Sequence, residues 1–371
     1  MNILITGYNG FIGKNFIQSL EKKKKNNIFK FGKENNIGDL EKFIFKCDII
    51  FHLAGENRNK NKEKFISNNI NLTSEIVNII KKKKKKTYLI FSSTNQVGKK
   101  NNIYSKTKLS AEKILKKNSS SLFHVKIYRL SNIFGKWSKP NYNSAVATFC
   151  HNISRNKKIR LSKFNEYLEL LYIDDVINLF LLDLKVKIKK KFEIINKYNN
   201  IYNISLYDLA KRIKFFKENR KNLLNNLQLA NGFNRVLYST YLSYVPEEDF
   251  KYLVEPIKDK RGSFLEFLKS KKNGQISILT VKPKQTRGNH YHMTKVEKFF
   301  VLAGESKFLF KNLISKKEKK IFINSSNKYI VETIPGWIHN ITNTGKVDLI
   351  VLLWSNEIFD KKKPDTVYYK L

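Results

Sequence analysis

Four side chains near the end of the chain have the types and spacing of a metal site. His290 and His292 are two residues apart, so on a β-strand they point to the same side. Glu297 follows five residues later, and His339 comes further along in Ile-Pro-Gly-Trp-Ile-His. Three imidazoles and a carboxylate form a complete ligand set for a divalent metal such as zinc. A His-x-His pair alone is more simply a pair of surface residues, but the four together favour a metal site.

A second group of residues, at the start of the chain, could bind a dinucleotide. A short apolar strand, 2–6, runs into Gly7-x-x-Gly10-x-x-Gly13, and a helical pattern follows. The glycines permit a tight turn, a close approach of the backbone to a pyrophosphate, and close packing of helix on strand. The helix N-terminus then offers amide donors to the phosphates. The predicted cofactor-binding residues here are Gly7, Gly10, Phe11, Ile12 and Gly13.

The next two predicted strands carry further candidates for cofactor binding. No carboxylate stands at the end of the second strand, 27–31, where NAD-binding proteins hold the ribose 2′-hydroxyl. Lys30 and Lys33 lie there instead, and a cation suits the additional phosphate of NADPH. Lysine is so common in this chain that NAD remains open. The third strand runs from Asp48 to a turn of small residues, and its candidates are Asp48, Leu53 and Ala54.

Thr94, Tyr104 and Lys108 have the types and spacing needed to reduce a ketone. Thr94 follows the fourth predicted strand, and Tyr104 and Lys108 lie one turn apart on the next helix. Reduction produces an alkoxide, which Tyr104 would protonate while Thr94 orients the substrate oxygen. We expect Lys108 to hold the nicotinamide ribose and to lower the pKa of Tyr104 toward neutrality. Tyr-x-x-x-Lys also arises by chance in a lysine-rich chain, so its position after Thr94 and the glycine turn carries the argument.

Strands and helices alternate as far as a fifth predicted strand, 123–128, which indicates a doubly wound parallel sheet. Such sheets bind ligands at the carboxyl ends of their strands, where Gly7, Thr94 and Tyr104 fall. The stretch 129–143 is predicted to be a loop, and its aromatic and cationic side chains fit either a nucleotide-sugar pocket or an ordinary surface. The substrate-binding candidates in it are Asn132, Lys136, Lys139 and Asn143.

The remaining sequence indicates a second domain of a different kind. Residues 184–200 are predicted to be a loop, and 237–249 the joint between two domains. Beyond this joint, short alternating runs recur at close spacing, as in a β-sandwich or a small barrel. We therefore expect an α/β domain over residues 1–244 and an all-β domain over residues 245–371.

The composition fits a globular protein, and its high positive charge does not by itself indicate a nucleic-acid partner. The net charge is +41, but only nine of the 72 basic residues are arginine. A bias toward residues with AT-rich codons explains the lysines, and no arginine-rich patch stands out, so we expect no nucleic-acid partner. No apolar run approaches the ~20 residues that span a bilayer, and we expect no signal peptide, because the chain opens directly with a predicted strand. With Cys47 and Cys150 far apart, the sequence predicts a cytoplasmic protein without disulfides.

These motifs resemble two known families. Residues 1–240 resemble the extended short-chain dehydrogenase/reductases, which have a Rossmann-like fold, through the glycine turn, Leu53-Ala-Gly55, Ser92-Ser-Thr94 and Tyr104-x-x-x-Lys108. The rest resembles a cupin barrel, through His290-x-His292-x4-Glu297-x6-Gly304 and Pro335-Gly336-x-x-His339-x3-Asn343. In the second cupin motif one residue usually separates the proline and the glycine, which are adjacent here. The whole chain resembles the bifunctional capsular-polysaccharide enzymes of the CapF type, also through residues 135–144, 238–244 and 261–264.

This resemblance implies a homodimeric nucleotide-sugar enzyme that uses NADPH and a divalent metal, expected to be zinc. The implied substrate is a UDP-linked 2-acetamido-2,6-dideoxy-4-hexulose of the L-arabino type. The cupin would invert C3 by metal-assisted enolisation, with the metal held by His290, His292, Glu297 and His339. The reductase would then convert the C4 ketone to a UDP-2-acetamido-2,6-dideoxy-L-talose, on the route to UDP-N-acetyl-L-fucosamine for capsule or O-antigen. Candidates for the base at C3 are Tyr291, Lys298 and Glu357.

Two alternatives remain open. In the first, the chain is an NADPH-dependent sugar-nucleotide reductase whose cupin is only a structural or dimerising domain. In the second, it is a non-catalytic protein that binds a sugar nucleotide or a nucleic acid. The intact set of Thr94, Tyr104 and Lys108 argues against the second alternative.

Overall fold

The structure, a computed structural model, describes residues 1–22, 26–161, 166–185, 189–223, 229–270, 272–360, 362 and 364–369. The chain divides into two compact units, one formed by residues 1–214 and 230–246 and the other by residues 215–229 and 247–371. The expected boundary after residue 244 lies two residues before the last of these divisions. It does not account for residues 215–229, which group with the second unit.

Strands and helices alternate along most of residues 1–246. The strands are β1 (Asn2–Thr6), β2 (Asn27–Phe31), β3 (Ile49–His52), β4 (Thr87–Thr94), β5 (Phe123–Leu130), β6 (Asn132–Phe134), β7 (Tyr167–Tyr172), β8 (Phe192–Ile195) and β9 (Ile201–Ser205). The helices are α1 (Phe11–Glu21), α2 (Ile37–Lys46), α3 (Glu63–Ile66), α4 (Leu72–Lys83), α5 (Ile103–Asn118), α6 (Ala145–Ser154), α7 (Ile173–Asp183), α8 (Leu206–Asn222) and α9 (Gly232–Leu242). A π-helical turn, Ser67–Asn71, joins α3 to α4.

Six of these strands form a parallel sheet in the order β2-β1-β3-β4-β5-β8. The predicted Rossmann-like, doubly wound sheet is therefore confirmed. Apolar side chains are buried on both faces, with Leu4 and Ile50 in one cluster and Ile3 and Phe51 in the other, as expected of strands covered by helices on both sides. The strand order reverses between β1 and β3, and the carboxyl ends of these strands border the crevice where such sheets bind ligands.

Two stretches that were expected to be loops contain strands. β8 lies within 184–200 and extends the parallel sheet next to β5, although residues 186–188 of that stretch lie outside the described residues. β6 lies within 129–143 and joins β7 and β9 in a separate three-stranded sheet. These strands have only four and three residues, which is too short for a recognisable alternation of polar and apolar positions.

The second unit consists mainly of strands. They are β10 (Ile257–Asp259), β11 (Gly262–Ser270), β12 (Gly274–Val281), β13 (Thr286–Tyr291), β14 (Glu297–Ala303), β15 (Glu305–Asn312), β16 (Glu318–Asn324), β17 (Ile330–Glu332), β18 (Trp337–Asn343), β19 (Leu349–Ser355) and β20 (Val367–Tyr368). They form two antiparallel sheets, in the orders β10-β11-β12-β19-β14-β17 and β16-β15-β18-β13-β20. The expected β-rich second domain is thus confirmed, and its assignment as a cupin barrel remains a prediction.

One apolar core joins strands from both antiparallel sheets. Phe299 and Val351 from the first sheet and Phe308 and Ile341 from the second belong to the same buried cluster. Along β14 and β19, buried and more exposed residues alternate, as expected of sheets with one face inside. None of the described helices in the chain combines the length and apolar character needed to cross a membrane.

Candidate active sites

The glycine turn lies at the carboxyl end of β1, where α1 begins. Gly7 has a φ of +69°, which favours glycine. A Cβ at Gly13 would lie 2.5 Å from the carbonyl oxygen of Gly7, so only glycine lets the helix approach the turn this closely. α1 begins directly after Gly10, and the first amides of a helix, here including Phe11 and Ile12, are the donors that bind phosphates.

The turn after β3 packs against the glycine turn. The amide of Leu53 donates to the carbonyl oxygen of Thr6, and the amide of Ala54 donates to the Thr6 hydroxyl, both over 3.2 Å. A Cβ at Gly7 would lie 2.6 Å from the backbone of Ala54. Leu53 and Ala54 therefore border the same crevice as the glycines, where they were predicted to lie.

Asp48 lies at the opposite end of the sheet, so its prediction as a cofactor-binding residue is wrong. Its carboxylate accepts a hydrogen bond from the amide of Asn2 over 3.0 Å and pairs with Lys85 at 3.2 Å. Asn2 begins β1, whereas Gly7 follows its end, and five residues of strand span roughly 16 Å. Asp48 precedes β3, and only the residues that follow β3 reach the crevice.

Two opposite charges lie just after β2. Lys33 and Glu34 are both exposed there, and a Cβ at Gly32 would lie 2.6 Å from the Glu34 carboxylate. A carboxylate near the end of β2 is the group that holds the ribose 2′-hydroxyl of NAD. The sequence pattern does not reveal Glu34 as a candidate because it follows the strand by three positions and folds back. Lys30, the predicted cation within β2 itself, pairs with Glu21 at 3.1 Å.

Thr94 and Tyr104 meet at the carboxyl end of β4. Thr94 ends that strand, and Tyr104 lies in the first turn of α5, close enough for the Thr94 side chain to act on the pKa of its hydroxyl. The side chain of Asn102 caps α5 by accepting from the amide of Ser105 over 2.8 Å. The cap fixes where the helix begins, and therefore which residue faces Thr94.

Lys108 completes this group one turn further along α5. Its side chain is buried, and its Nζ donates to the carbonyl oxygen of Ser92 over 2.9 Å. A Cβ at Gly55 would lie 2.9 Å from the same Nζ. The ammonium therefore faces the turn after β3, and the three predicted catalytic residues do come together.

The pKa values in this group differ from the expectation. Burial raises the pKa of Tyr104 to about 12, and the nearby Thr94 side chain opposes this only in part. Burial also lowers the pKa of Lys108 to about 8, while the nearby Glu112 carboxylate acts in the opposite direction. The expected lowering of the Tyr104 pKa by Lys108 is wrong, because desolvation of the phenol dominates. Tyr104 is consequently protonated at neutral pH, which is the state that a proton donor needs.

A buried ion pair fixes α5 against the sheet. Glu112 accepts from Arg129 of β5 at 2.6 Å and 3.1 Å and from the hydroxyl of Ser93 in β4. Glu112 lies one turn beyond Lys108 and two beyond Tyr104, on the same face of the helix. The pair therefore sets the position of α5 relative to the strand that carries Thr94.

The predicted substrate-binding residues do not form one group. Lys139 lines a cleft of about 790 Å³ with Tyr8 of the glycine turn and Trp137. Lys136 pairs with Asp174 at 2.6 Å, and the side chain of Asn132 donates to the carbonyl oxygen of Glu169 over 3.2 Å. Asn143 is exposed, next to the residue that caps α6. Of the four, the described lining of this cleft includes only Lys139.

The four predicted metal ligands converge in the second unit. One ligand atom from each of His290, His292, Glu297 and His339 lies within 4.8 Å of all the others. Oε2 of Glu297 is 3.4 Å from Nε2 of His292 and 3.6 Å from Nε2 of His339. His290 pairs across the sheet with His339, next to an irregularity at Asn289, which has a φ of +60°. This bulge lies directly before His290 and changes the direction of β13 where that residue pairs with His339 of β18.

These residues fit a metal ion. The Nε2 atoms of all three histidines are buried and have no hydrogen-bond partner among the described residues. Burial lowers the pKa of His290 to about 3, so its imidazole is neutral, as a metal ligand must be. Buried acceptors without partners are unfavourable unless a bound group compensates. Three imidazoles and one carboxylate are a ligand set that suits zinc.

A cavity of about 200 Å³ is lined by three of these residues, His290, Glu297 and His339. Its polar lining includes Arg287, Asn340 and Tyr368, and Nε of Arg287 and Oδ1 of Asn340 are buried without a partner among the described residues. Of the candidate bases, Lys298 pairs with Glu332 at 2.9 Å. The described lining of the cavity includes none of the candidate bases Tyr291, Lys298 and Glu357.

Each of the two units matches the model of a known protein family. Residues 3–205 match the model of the NAD dependent epimerase/dehydratase family, and residues 257–367 match that of the polysaccharide biosynthesis C-terminal domain. A Rossmann-like sheet with this glycine turn and these three side chains defines a nicotinamide-dependent enzyme of the short-chain dehydrogenase/reductase class.

Similar proteins match over the whole chain. The UDP-2-acetamido-2,6-beta-L-arabino-hexul-4-ose reductase of Pseudomonas aeruginosa is 40% identical over 367 residues, which are 99% of this chain and 98% of that protein. The crystal structure of the capsular polysaccharide assembling protein CapF from Staphylococcus aureus has a TM-score of 0.91 and 35% identity, with all of both chains covered. The chain therefore belongs to the CapF-type family of capsular-polysaccharide enzymes. The UDP-glucuronic acid 4-epimerase of Bacillus cereus, at 22% identity and a TM-score of 0.52 over 59% of this chain and 83% of its own, shares only the fold.

Proposed function

We propose that the chain is a bifunctional UDP-sugar enzyme. The second unit, a cupin, inverts C3 of a UDP-2-acetamido-2,6-dideoxy-L-arabino-4-hexulose, and the first unit reduces its C4 ketone with NADPH to the L-talose product. The observation that supports this best is that one chain holds two separate groups of side chains, one suited to ketone reduction and one suited to binding a metal. The relative from Pseudomonas aeruginosa is named for reducing a sugar of this kind.

The reductive step needs a proton donor beside the ketone oxygen. When bound, NADPH supplies the hydride that adds to C4. Tyr104 donates its hydroxyl proton to the resulting C4 oxygen. The Thr94 side chain, which lies close enough to act on the pKa of Tyr104, orients the same oxygen. Lys108 provides positive charge beside the turn after β3, along which the cofactor would lie.

The epimerisation step needs a proton to leave C3 and another to return from the opposite face. A divalent metal, when bound by His290, His292, Glu297 and His339, supplies charge that stabilises the negative C4 oxygen. On the wall of the same cavity, Arg287 offers a buried Nε–H donor without a partner among the described residues. Tyr368 offers a hydroxyl that can exchange protons with the sugar.

The two steps can be separated by leaving out NADPH. The full-length enzyme, loaded with zinc, would be incubated with the UDP-4-keto sugar in heavy water, and C3 followed by NMR. Three proteins would be compared: the natural protein, His290→Ala and Tyr104→Phe. We expect deuterium uptake at C3 in the natural protein and in Tyr104→Phe, and none in His290→Ala.

NADPH oxidation then tests the second step. Tyr104→Phe should lose about 10²- to 10⁴-fold in the rate of oxidation, which is the usual contribution of a general acid. If NADPH is oxidised but no deuterium enters C3 in any protein, the chain is a reductase with a structural second unit. If neither reaction occurs, the chain is a binding protein.

A further inference from the structure

We propose that Asp365 and Lys295 are positioning residues for the metal site, with Asp365 fixing the loop that carries His292 and Lys295 orienting the Glu297 carboxylate. This inference rests on the proposed metal site and extends it to residues that bind no metal themselves. Neither residue stands out in the sequence, because their partners are recognisable only in the folded chain.

Asp365 accepts hydrogen bonds from the amides of the turn between β13 and β14. Its Oδ2 accepts from the amide of Thr294 over 2.6 Å, from the amide of Lys295 over 2.7 Å and from the Thr294 hydroxyl over 2.8 Å. Its Oδ1 accepts from the amide of Met293 over 2.9 Å. Three successive amides that converge on one anion form a concave site in which a carboxylate is strongly preferred. This turn separates two of the ligands, since His292 precedes it and Glu297 follows it.

The backbone of Asp365 acts on His292 directly. Its carbonyl oxygen is hydrogen-bonded to Nδ1 of His292, which must therefore carry the proton. Nε2 is then left as the acceptor, and it is the atom that lies beside Oε2 of Glu297 at 3.4 Å. A hydrogen bond of this kind fixes both the tautomer and the orientation of a metal-binding histidine.

The segment that carries Asp365 is itself anchored to β13. β20 pairs with that strand, with Tyr368 opposite His290 and Val367 opposite Tyr291. The amide of Tyr369 donates to the carbonyl oxygen of Asn289 over 2.8 Å. Residues 364–369 therefore hold Asp365 beside the strand from which His290 projects.

Lys295 contacts a second metal ligand, Glu297. It is only 8% exposed, and its Nζ lies 3.0 Å from Oε1 of Glu297. Oε2 of the same carboxylate faces His292 and His339. Because the ammonium engages Oε1, the carboxylate presents Oε2 to a metal. A neutral side chain at 295 would leave Glu297 free to rotate within a buried pocket.

Metal affinity tests both residues. Full-length proteins would be stripped of metal, and zinc binding measured by competition with a chromogenic chelator. The visible spectrum with Co²⁺ would report the coordination geometry. We expect Asp365→Asn and Lys295→Met each to lose about 10- to 100-fold in zinc affinity, the usual effect of removing a partner of a metal ligand. Lys295→Arg, which keeps the cation, should stay close to the natural protein.

Two matched controls separate this role from a general effect of charge. Asp360→Asn removes an exposed carboxylate, five positions before Asp365, that accepts from the amide of Lys362 over 2.8 Å. Lys311→Met removes a lysine of the same unit that pairs with Glu318 at 3.2 Å. Both should bind zinc with unchanged affinity and an unchanged Co²⁺ spectrum.

The outcomes distinguish the proposed metal site from the proposed positioning role of Asp365 and Lys295. If the natural protein binds neither zinc nor Co²⁺, the metal site itself is wrong. If the natural protein binds both ions, the positioning role is wrong when Asp365→Asn and Lys295→Met have zinc affinities within twofold of the natural value and the same Co²⁺ spectrum. If Asp365→Asn fails to fold, Lys295→Met and Lys295→Arg still test the role of Lys295. The role of Asp365 is then tested with Thr294→Val, which removes one of the four hydrogen bonds to its carboxylate.

Discussion

The Nζ of Lys108 lies 2.9 Å from the carbonyl oxygen of Ser92 and 4.5 Å from the centre of the Phe91 ring. Lys108 is almost fully buried, and this burial lowers its pKa to about 8. Between this value and the usual pKa of about 10.4, the unfolded chain binds more protons than the folded one. The contribution of Lys108 to stability therefore rises with pH across that window, and below it the buried charge is a cost.

Lys108→Met should consequently abolish reduction without destabilising the first unit. The shift in pKa corresponds to about 3 kcal/mol at most, so we expect the variant to gain about 1–3 kcal/mol in unfolding free energy at pH 7. The gain should shrink toward pH 10. Urea unfolding at both pH values measures it, with the exposed Lys106→Met as the control on the same helix. A variant that is less stable at pH 7, by an amount independent of pH, would contradict this account.

Glu112→Gln should shift the pH profile of reduction. The carboxylate raises the pKa of Lys108, so its removal lowers that pKa, and the alkaline limb of kcat/KM should move to lower pH. The variant should also lose about 1–3 kcal/mol of stability, because a neutral amide replaces the carboxylate that accepts from the partly exposed Arg129. The double variant Glu112→Gln/Arg129→Met should recover part of the stability and keep the shifted profile. An unchanged profile in both would leave Glu112 a purely structural role.

Lys33 and Glu34 should have opposite effects on the choice of cofactor. Lys33→Ala removes the cation suited to a 2′-phosphate and should raise the KM for NADPH by about tenfold, with little change for NADH. Glu34→Ala should raise the KM for NADH instead. Lys30→Ala is the control, since Lys30 pairs with Glu21. Equal effects of Lys33→Ala on both cofactors would show that its charge does not discriminate between them.

Gly288→Ala should disrupt the metal site while Gly336→Ala does not. Both glycines have positive φ angles, +99° and +77°, so both substitutions carry a backbone strain of about 1–2 kcal/mol. A Cβ at Gly288 would also lie 2.8 Å from the backbone of Asn340, whereas Gly336 faces open space. The strands that carry His290 and His339 would have to separate, which adds about 1–3 kcal/mol. Zinc affinity and thermal unfolding of the two variants test this, and equal behaviour would contradict it.

The groups that could be predicted from the sequence are those whose members are fixed by local geometry. Gly7, Gly10 and Gly13 define one turn, and Tyr104 and Lys108 are neighbours on one helix. Thr94 could be added because the carboxyl ends of parallel strands meet at one edge of a sheet. The same rule excludes Asp48, which directly precedes β3.

Contacts between distant segments could not be predicted. Asp365 lies some 70 residues beyond the amides that it binds, and Arg129 comes from a different strand than Ser93. The pKa of Tyr104 depends on how deeply the phenol is buried, which spacing alone does not reveal. The bulge at Asn289 likewise becomes visible only when β13 is paired with β18.

The grouping of residues 215–229 with the second unit affects how the two proposed activities can be studied apart. Because residues 230–246 return to the first unit, no single cut in the gene separates the two units. A fragment that begins at residue 247 would lack a segment of its own unit, including Leu223, whose carbonyl oxygen accepts from the amide of Lys269 over 2.8 Å. Inactivity of such a fragment would therefore say nothing about catalysis, and each activity has to be silenced in place, by point substitution in the intact polypeptide.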